Sequence, residues 1–173
     1  AGSFAWVLSW LLPFPVFTIR ATLAADSSDQ QELSDITVII PARDETESLG
    51  RTLDGLQQQG ASLRVVVVDD QSTDGTGALA RAHPLQPLVI DGSTPPVGWL
   101  GKVWALEQGF AQVETPFLLL LDADISLKPG VLGNLRKKLT DDGLAMASLM
   151  AELRTDGFWE RLLAPAYVYF FRL

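Results

Sequence analysis

The sequence contains no cysteine, and this absence excludes several kinds of chemistry. None of its 173 residues can form a disulfide, supply a thiolate ligand to zinc or act as a cysteine nucleophile. Basic residues are also scarce, because 13 Lys and Arg stand against 21 Asp and Glu, for a formal net charge of −8. We therefore expect no nucleic-acid partner, since binding to phosphate backbones relies on clustered Lys and Arg.

The rest of the composition is that of a globular chain. Hydrophobic residues make up 47% of the sequence and charged residues 20%, which excludes a disordered tail, a collagen-like repeat and a coiled coil. A length of 173 residues fits one domain with a sizeable core.

Aromatic residues concentrate at the two ends of the chain. Five of the 15 lie in residues 1–20 and six in 157–173. Residues 1–19 carry no charge, and as a helix they would span roughly 28 Å, close to the hydrocarbon thickness of a bilayer. Pro13 and Pro15 would kink or end such a helix. The run is therefore explained by a membrane anchor, an interfacial segment, a signal peptide or a buried core helix.

We expect a membrane-associated segment at residues 1–23, a polar linker at 24–35 and an aromatic amphipathic helix at 156–173. The alternative for the last segment is a core helix. Arg20 follows the first apolar run and favours a cytoplasmic location for what comes after it. The expected location is the cytoplasmic side of a membrane.

Between these ends, short apolar runs alternate with stretches of good helix formers. The predicted strands are Ile36–Ile40, Val65–Val68, Leu88–Ile90, Phe117–Leu121 and Leu144–Met150. The predicted helices are Asp44–Gln59, a stretch that ends near Ala82, Gly101–Val113, and Lys128–Leu139 with Pro129 in its first turn. This alternation predicts an α/β domain at residues 36–155, built on a mostly parallel sheet that is flanked by helices.

Acidic side chains follow four of the predicted strands. They are Asp44 and Glu45, Asp69 and Asp70, Asp91, and Asp122 and Asp124. Ligands of parallel sheets bind beyond the carboxyl ends of the strands, so we expect these carboxylates to gather at one edge. A cation or a set of basic side chains is their natural complement.

The sharpest local signal is Asp122-Ala123-Asp124. In extended backbone, residues i and i+2 project to the same face, so both carboxylates can point into one crevice. Two hard oxygen ligands suit Mg²⁺ or Mn²⁺, which retain waters and accept phosphate oxygens from a substrate. The alternative is that the aspartates only cap the turn after the strand. The Asp69-Asp70 pair at a neighbouring strand end favours the metal site.

Three ordered motifs resemble family 2 glycosyltransferases with the GT-A fold. They are Ile40–Glu45 (IPARDE), Val68–Thr76 (VDDQSTDGT) and Leu121–Asp124 (LDAD). Further segments resemble the membrane-associated, hopene-associated branch of that family, which is found with hopanoid biosynthesis. They are Gly98–Leu106, Phe158–Glu160 and Pro165–Tyr167. Asp44 departs from the pattern, because the family usually has Asn at this place.

The resemblance implies a role for each matching residue. The residues that would line the nucleotide site are Pro41, Ala42, Arg43 and Glu45. Asp69 and Asp70 would hydrogen-bond the uracil or neighbouring groups of a nucleotide-sugar donor, and Lys102 would meet its diphosphate. Asp122 and Ala123 would approach the ribose or sugar. A divalent metal, Mg²⁺ or Mn²⁺, would be bound by Asp124 together with Asp122.

The implied reaction is inverting transfer of a sugar from a nucleotide donor, expected to be a UDP-sugar, to a hydroxyl of a lipid-like acceptor such as a hopanoid. Such a transfer needs a general base for the acceptor's proton. The resemblance implies that this base is an Asp downstream of the metal motif, near a Gln-x-x-Arg-Trp-like element on a later helix, and Asp141, Asp142 and Asp156 come too early in the chain to match it. We therefore expect the base beyond Leu173, so that this chain would be a donor-binding part, incomplete at its carboxyl end.

Other classes of function stay open at this point. A dehydrogenase is suggested by Gly75-Thr76-Gly77 with Ala80, although acidic residues separate these glycines from the preceding strand. A phospho-acceptor receiver domain would begin near Val65 and use Asp122 as the phosphorylated residue. A nucleotide-binding module without catalysis is the third alternative.

Overall fold

A computed structural model of the chain describes residues 32–149 and 157–159. Within them, strands and helices alternate. The elements are β1 (Ile36–Ala42), α1 (Leu49–Gln57), β2 (Arg64–Asp69), α2 (Thr76–Ala82), β3 (Leu88–Asp91), α3 (Gly101–Phe110), β4 (Phe117–Leu120) and α4 (Val131–Asp141).

The four strands form one sheet in the order β3-β2-β1-β4, and every neighbouring pair is parallel. β1 lies inside the sheet, where it pairs with β2 from Thr37 to Ala42 and with β4 from Ile36 to Ile39. The runs Ile36–Ile40 and Val65–Val68 are buried throughout, as expected for parallel strands with helices on both faces. The predicted α/β fold with a parallel sheet is confirmed.

Helices cover the two faces of the sheet unequally. On one face, α1, α2 and α4 contribute to the larger core cluster, in which α1 presents Leu49, Leu53 and Leu56 at helical spacing. On the other face, α3 packs Ala105 against Ile39 and its neighbours on β2. Gly109 lets α3 approach closely, because a Cβ at this position would lie 2.6 Å from Cγ2 of Ile39.

Two predicted helices begin later than the sequence pattern indicates. α1 begins at Leu49 rather than Asp44, because residues 43–48 form a loop in which Asp44 has a φ of 54°. α4 begins at Val131 rather than Lys128. Gly130, with a φ of 77°, is its N-cap, so Pro129 precedes the helix.

The predicted fifth strand, Leu144–Met150, is wrong for the part that the structure describes. Residues 144–149 contain no strand, and β4 is hydrogen-bonded only to β1 in the described sheet. An apolar run becomes a strand only where a neighbouring strand accepts and donates its backbone hydrogen bonds.

The end of the predicted linker belongs to the folded domain. Leu33 is fully buried, and its backbone N–H donates to the carbonyl of Ala61 over 3.0 Å. The Asp35 carboxylate lies 2.7 Å from Nε of Arg136 in α4. The linker prediction therefore extends too far, because these residues pack against the domain.

The chain divides into two compact units, Leu23–Ala147 and a second one made of Ala1–Thr22 with Ser148–Leu173. In the second, the described rings of Phe158 and Trp159 meet edge to face with 5.3 Å between centroids. The predicted segment 1–23 and most of the predicted helix 156–173 lie outside the described residues. Among the helices that are described, none has the length and apolar character needed to cross a membrane.

Candidate functional site

A cleft of about 390 Å³ opens at the carboxyl ends of the strands. Its lining comes from the end of β1, the residue after β2, the start of α3 and the segment after β4. The lining residues are Pro41, Ala42, Arg43, Glu45, Asp70, Gly101, Lys102, Ala105, Asp122, Ala123 and Asp124. Nine of the ten predicted site residues are among them. Gly101 and Ala105 were not predicted, because neither side chain carries a functional group that would mark it in the sequence. Their small size leaves room for a ligand in the cleft.

Asp69 is the predicted residue that does not line the cleft. Successive residues at the end of β2 point to opposite faces of the sheet, so Asp69 turns toward α2 and Asp70 toward α3. One Asp69 oxygen accepts from the backbone N–H of Ser72 over 3.1 Å. The other would lie 2.1 Å from a Cβ on Gly77, so Asp69 fills the space that this glycine leaves.

Asp70 is a buried carboxylate on the floor of the cleft, with its side chain 7% exposed. Nη1 of Arg43 lies 3.7 Å from Oδ2 of Asp70. The same oxygen would be 3.1 Å from a Cβ on Gly101, the first residue of α3. The Arg43 guanidinium and the positive amino end of α3 thus both lie beside this buried side chain.

Lys102 and Asp122 face each other across the cleft. Nζ of Lys102 donates to Oδ1 of Asp122 over 2.7 Å, and both side chains are more than half exposed. Asp122 and Asp124 are exposed, whereas Ala123 between them is buried. The two carboxylates share the cleft as predicted, but the backbone is a turn rather than extended, because Ile125 N–H donates to the Asp122 carbonyl over 3.2 Å.

Polar side chains of the α1 region hold this turn in place. The buried hydroxyl of Thr52 donates to the Ala123 carbonyl over 2.7 Å. Gln59, also buried, donates to the Lys128 carbonyl over 3.0 Å and accepts from the backbone N–H of Leu132 over 3.1 Å. Sequence reasoning missed these residues. The available signal is that Thr52 lies on the side of α1 that otherwise carries buried leucines, and that Gln59 follows the helix at the same spacing.

The loop after β1 is fastened to the loop after β2. The Asp44 carboxylate accepts from the backbone N–H of Thr73 over 2.7 Å, and Asp44 N–H donates to the Ser72 hydroxyl over 3.0 Å. Asn and Asp are the non-glycine residues that most readily adopt the positive φ found at Asp44. Asp therefore fits where the related pattern has Asn, since both offer a side-chain oxygen.

Asp74 provides the second half of this connection. Its Oδ2 accepts from the backbone N–H and the hydroxyl of Thr46, and its Oδ1 accepts from those of Thr76. Thr76 in turn accepts from the backbone N–H of Glu45 over 2.8 Å. The hydrogen bond from the Thr76 hydroxyl, followed by those from Thr46, holds the pKa of Asp74 far below its usual value. An ionised Asp74 thus fixes the backbone of Glu45, which lines the cleft.

The charges in the cleft call for a cation. The lining carries the carboxylates of Glu45, Asp70, Asp122 and Asp124 but only the cations of Arg43 and Lys102. Within the described ranges, no three His, Cys, Asp or Glu side chains are close enough to enclose a metal ion. Mg²⁺ and Mn²⁺ do not need such a cage, because one or two carboxylates and substrate phosphates complete their coordination. The donor set fits a metal that is bound together with a phosphorylated ligand.

The geometry does not favour two of the alternative functions. The carboxylate of Asp69 occupies the space beside Gly77, where a dehydrogenase would need room and positive charge for a pyrophosphate. A receiver domain beginning at Val65 would omit β1, yet β1 is the strand that joins β2 to β4.

Two of the three aspartates considered for the general base, Asp141 and Asp142, lie away from the cleft. Asp141 ends α4 and Asp142 follows it, where the Asp142 carboxylate lies 2.7 Å from Nζ of Lys138. Neither contributes to the lining. Asp156 lies outside the described residues.

Two solved structures show a similar fold. The mannosyltransferase PcManGT from Pyrobaculum calidifontis, in complex with GDP-Man and Mn²⁺, is 27% identical, with a TM-score of 0.53 over 80% of this chain and 39% of that one. S. aureus TarS in complex with UDP-GlcNAc is 26% identical, with a TM-score of 0.50 over 62% of this chain and 31% of that one.

Sequence comparisons point to the same family. The 4,4'-diaponeurosporenoate glycosyltransferase of Staphylococcus haemolyticus is 31% identical over 121 residues, which are 69% of this chain and 32% of that protein. The chain thus spans about a third or less of the length of the curated relatives it matches. The model of glycosyl transferase family 2 matches residues 37–172. The chain therefore belongs to glycosyl transferase family 2.

Proposed function

We propose that the cleft binds a nucleotide-sugar donor together with a divalent metal ion, for sugar transfer to a lipid-like acceptor. The observation that carries the proposal is the convergence of Lys102, Arg43, Asp122 and Asp124 on one cleft at the carboxyl edge of the sheet. Membership in glycosyl transferase family 2 and similarity to proteins bound to UDP-GlcNAc and GDP-Man support it.

The basic residues of the cleft bind the donor's diphosphate in this proposal. Lys102 already holds its ammonium group in the cleft by donating to Asp122. A diphosphate offers further acceptors to the same ammonium group, and charge-assisted hydrogen bonds of this kind are strong. Arg43, whose side chain is 64% exposed, lies beside the buried Asp70 and presents a second cation to the donor.

The nucleotide lies against the end of β1, where Pro41 and Ala42 form the wall of the cleft. Asp70, held below them in its buried position, accepts hydrogen bonds from the base or the ribose. Pro41 and Ala42 end β1 and Asp70 directly follows the adjacent β2, where the Asp70 N–H donates to the Ala42 carbonyl over 2.8 Å. A nucleoside thus meets a surface that is fixed before it binds.

Asp122 and Asp124 are the residues that would hold Mg²⁺ or Mn²⁺. When bound to the diphosphate, such an ion stabilises the negative charge that develops on the leaving nucleoside diphosphate. The chain's own contribution is the fixed turn between the two carboxylates, which Thr52 anchors from α1.

The acceptor is proposed to be an apolar lipid bearing the group that receives the sugar, with the donor cleft at the cytoplasmic side of a membrane. A relative named for 4,4'-diaponeurosporenoate favours a carotenoid-like lipid, whereas the resemblance in the motifs suggested a hopanoid. The donor is proposed to be a UDP-sugar and the transfer to proceed with inversion. We assign no general base to a described residue.

Calorimetric titration with UDP and with GDP, each with and without Mn²⁺, tests the proposal. We expect one of the nucleotides to bind and Mn²⁺ to strengthen its binding. Asp124→Ala should remove the effect of Mn²⁺, whereas Asp141→Ala, at the end of α4, should retain it. Absence of binding by both nucleotides under both conditions would overturn the donor proposal, and an unchanged Mn²⁺ effect in Asp124→Ala would overturn the metal assignment.

A further inference from the structure

The segment between β3 and α3 exposes an unusual amount of apolar surface. Residues 92–100, which we call the rim loop, contain no charged side chain. Val97 is fully exposed, Leu100 is 74% exposed and Trp99 is 43% exposed. Val103, in the first turn of α3, is 49% exposed and extends this surface. These apolar side chains are adjacent to one another rather than scattered singly over the surface, and an exposed apolar cluster of this kind indicates a contact site.

The rim loop has a fixed conformation. A turn is closed by the Trp99 N–H, which donates to the Pro96 carbonyl over 3.1 Å, and Gly98 within it has a φ of 91°. The Trp99 ring meets the Trp104 ring edge to face at 5.3 Å. The apolar side chains near the tip of the turn are therefore presented outward by the backbone.

Trp104 is itself fixed by a short hydrogen-bond network. Its Nε1–H donates to the Ser93 hydroxyl over 3.1 Å, and Ser93 donates through its backbone N–H and its hydroxyl to Gln108, each over 2.9 Å. This network ties the first part of the rim loop to α3. Preorganisation of this kind lowers the entropic cost of docking onto a partner.

The position of the rim loop connects it with the cleft. It is followed directly by Gly101 and Lys102, which line the cleft. A large apolar molecule that approaches the donor from this side must therefore pass Leu100 and its neighbours.

We propose that Val97, Trp99 and Leu100 insert into the boundary between headgroups and acyl chains of a lipid bilayer, so that the cleft opens toward the membrane. The lipid nature of the acceptor rests on the proposed function. The apolar side chains gain from leaving water, and an indole ring suits the membrane interface. No charge in the rim loop has to be desolvated.

A bilayer fits this surface better than a folded protein partner does. Val97 stands at the apex of a turn and is fully exposed, so the surface is convex. A convex apolar tip enters a deformable lipid phase without a matching cavity, whereas a protein partner would have to supply a pocket. The charged residues nearest to the two ends of the loop are Asp91 and Lys102, and each is held in an ion pair, with Arg81 and Asp122 respectively.

The absence of cysteine makes a direct test possible. The variant Val97→Cys, labelled with an environment-sensitive fluorophore, is mixed with vesicles of phosphatidylcholine containing a minor fraction of phosphatidylglycerol. We expect a blue shift, an emission increase of about twofold or more, and quenching by spin-labelled lipids. The matched control is Gln58→Cys, which is exposed at the end of α1 and should show none of these changes. Equal signals at both positions, or a label at position 97 that stays in water, would overturn the proposal.

A second set of variants separates the role of the loop from attachment through other parts of the chain. A label at Thr94→Cys reports on the loop. Combining it with Val97→Ser and Leu100→Ser should lower the lipid quenching several-fold, whereas Phe110→Ser removes an exposed apolar side chain at the other end of α3 and should not. Unchanged quenching after the two loop substitutions would contradict insertion.

Titration of the same variants with UDP and Mn²⁺ distinguishes this inference from the proposed function. Donor binding that persists while the label at position 97 remains in water would overturn the membrane contact alone. A label that inserts while neither nucleotide binds would support the membrane contact and overturn the donor function.

Discussion

Nζ of Lys102 lies 2.7 Å from a carboxylate oxygen of Asp122, and this pair connects the start of α3 with the segment after β4. Both side chains are more than half exposed, so the pair contributes only about 0–1 kcal/mol to stability. The pair places a cation and a potential metal ligand where a diphosphate is proposed to bind. We therefore expect Lys102 to affect the affinity for the donor more than the free energy of unfolding.

Replacement of Lys102 by Met tests this distinction. UDP affinity in the presence of Mn²⁺ should fall about tenfold or more, because a charge-assisted hydrogen bond contributes about 1.5–3 kcal/mol. The free energy of unfolding should change by less than about 1 kcal/mol. Calorimetry and urea denaturation measure the two quantities, with Lys137→Met on the exposed side of α4 as the control. Equal affinities of Lys102→Met and the control would contradict the role of Lys102.

The buried hydroxyl of Thr52 should matter for both stability and metal-dependent binding. Thr52→Val keeps the shape of the side chain but leaves the Ala123 carbonyl without its buried donor. The expected loss of stability is about 1–3 kcal/mol. Since Ala123 stands between the two proposed metal ligands, the strengthening of UDP binding by Mn²⁺ should also decrease several-fold.

Thr37→Val is the matched control for Thr52→Val. Thr37 is equally buried, and its hydroxyl is 2.7 Å from that of Thr115, at the opposite end of β1 from the cleft. Thr37→Val should lower the free energy of unfolding to a similar degree without altering the effect of Mn²⁺ on UDP binding. If both variants weaken the Mn²⁺ effect equally, Thr52 acts through general stability and not by positioning the turn.

The sequence predicts the cleft well because its residues follow strands, and strand ends of a parallel sheet share one edge. The motifs around Pro41, Asp70 and Asp122 are local, so their places could be derived from the order of the elements. Asp69 shows the limit of this reasoning. The pattern DD does not indicate which carboxylate faces the cleft, and that depends on the alternation of side chains in β2 and on Gly77 in α2.

Features that depend on contacts between distant parts of the chain could not be predicted. The sequence pattern predicts a helix over residues 44–48, yet the hydrogen bonds that the backbone N–H of Thr73 donates to Asp44 and that of Thr46 donates to Asp74 hold them in a loop. The apolar run from Leu144 predicts a strand, but a strand also requires an adjacent backbone as partner. Both differences arise because tertiary hydrogen bonds override local propensity.

The pH dependence of the free energy of unfolding should show the contribution of the ionised Asp74 carboxylate. One of its oxygens accepts hydrogen bonds from Thr46 in the loop after β1, and the other accepts them from Thr76 at the start of α2. Asn has only one oxygen to offer, so Asp74→Asn should destabilise the protein at neutral pH. Because folding lowers the pKa of Asp74, its contribution is complete above the unfolded-state pKa of about 3.9 and decreases as pH falls toward the folded-state value.

Urea denaturation of the wild type and Asp74→Asn between neutral and acidic pH measures this effect. The difference in free energy of unfolding should be constant above about pH 5 and shrink progressively below about pH 4. Asp141→Asn, at the end of α4 and away from both loops, serves as the control. A difference for Asp74→Asn that stays the same into the acidic range would show that its carboxylate is not held by these bonds.

The close contact of α3 with the sheet links packing to donor binding. Gly109→Ala would place a Cβ 2.6 Å from Cγ2 of Ile39 and 3.1 Å from Cγ2 of Val68. Overpacking of this kind lowers the free energy of unfolding by about 1–3 kcal/mol. The better helix propensity of Ala offsets at most about 1 kcal/mol of this loss. Because α3 begins with residues that line the cleft, its outward shift should also weaken UDP binding.

Gly50→Ala serves as the control, because it adds a Cβ to a helix at a position where there is open space. A Cβ at Gly50, in the first turn of α1, would meet no atom within 4 Å, so this change should stabilise the protein by about 0.5–1 kcal/mol and leave UDP affinity unchanged. Urea denaturation and calorimetry of both variants check these expectations. If Gly109→Ala proved as stable as Gly50→Ala and bound UDP normally, α3 would not depend on the small residue at position 109 for its contact with β1 and β2.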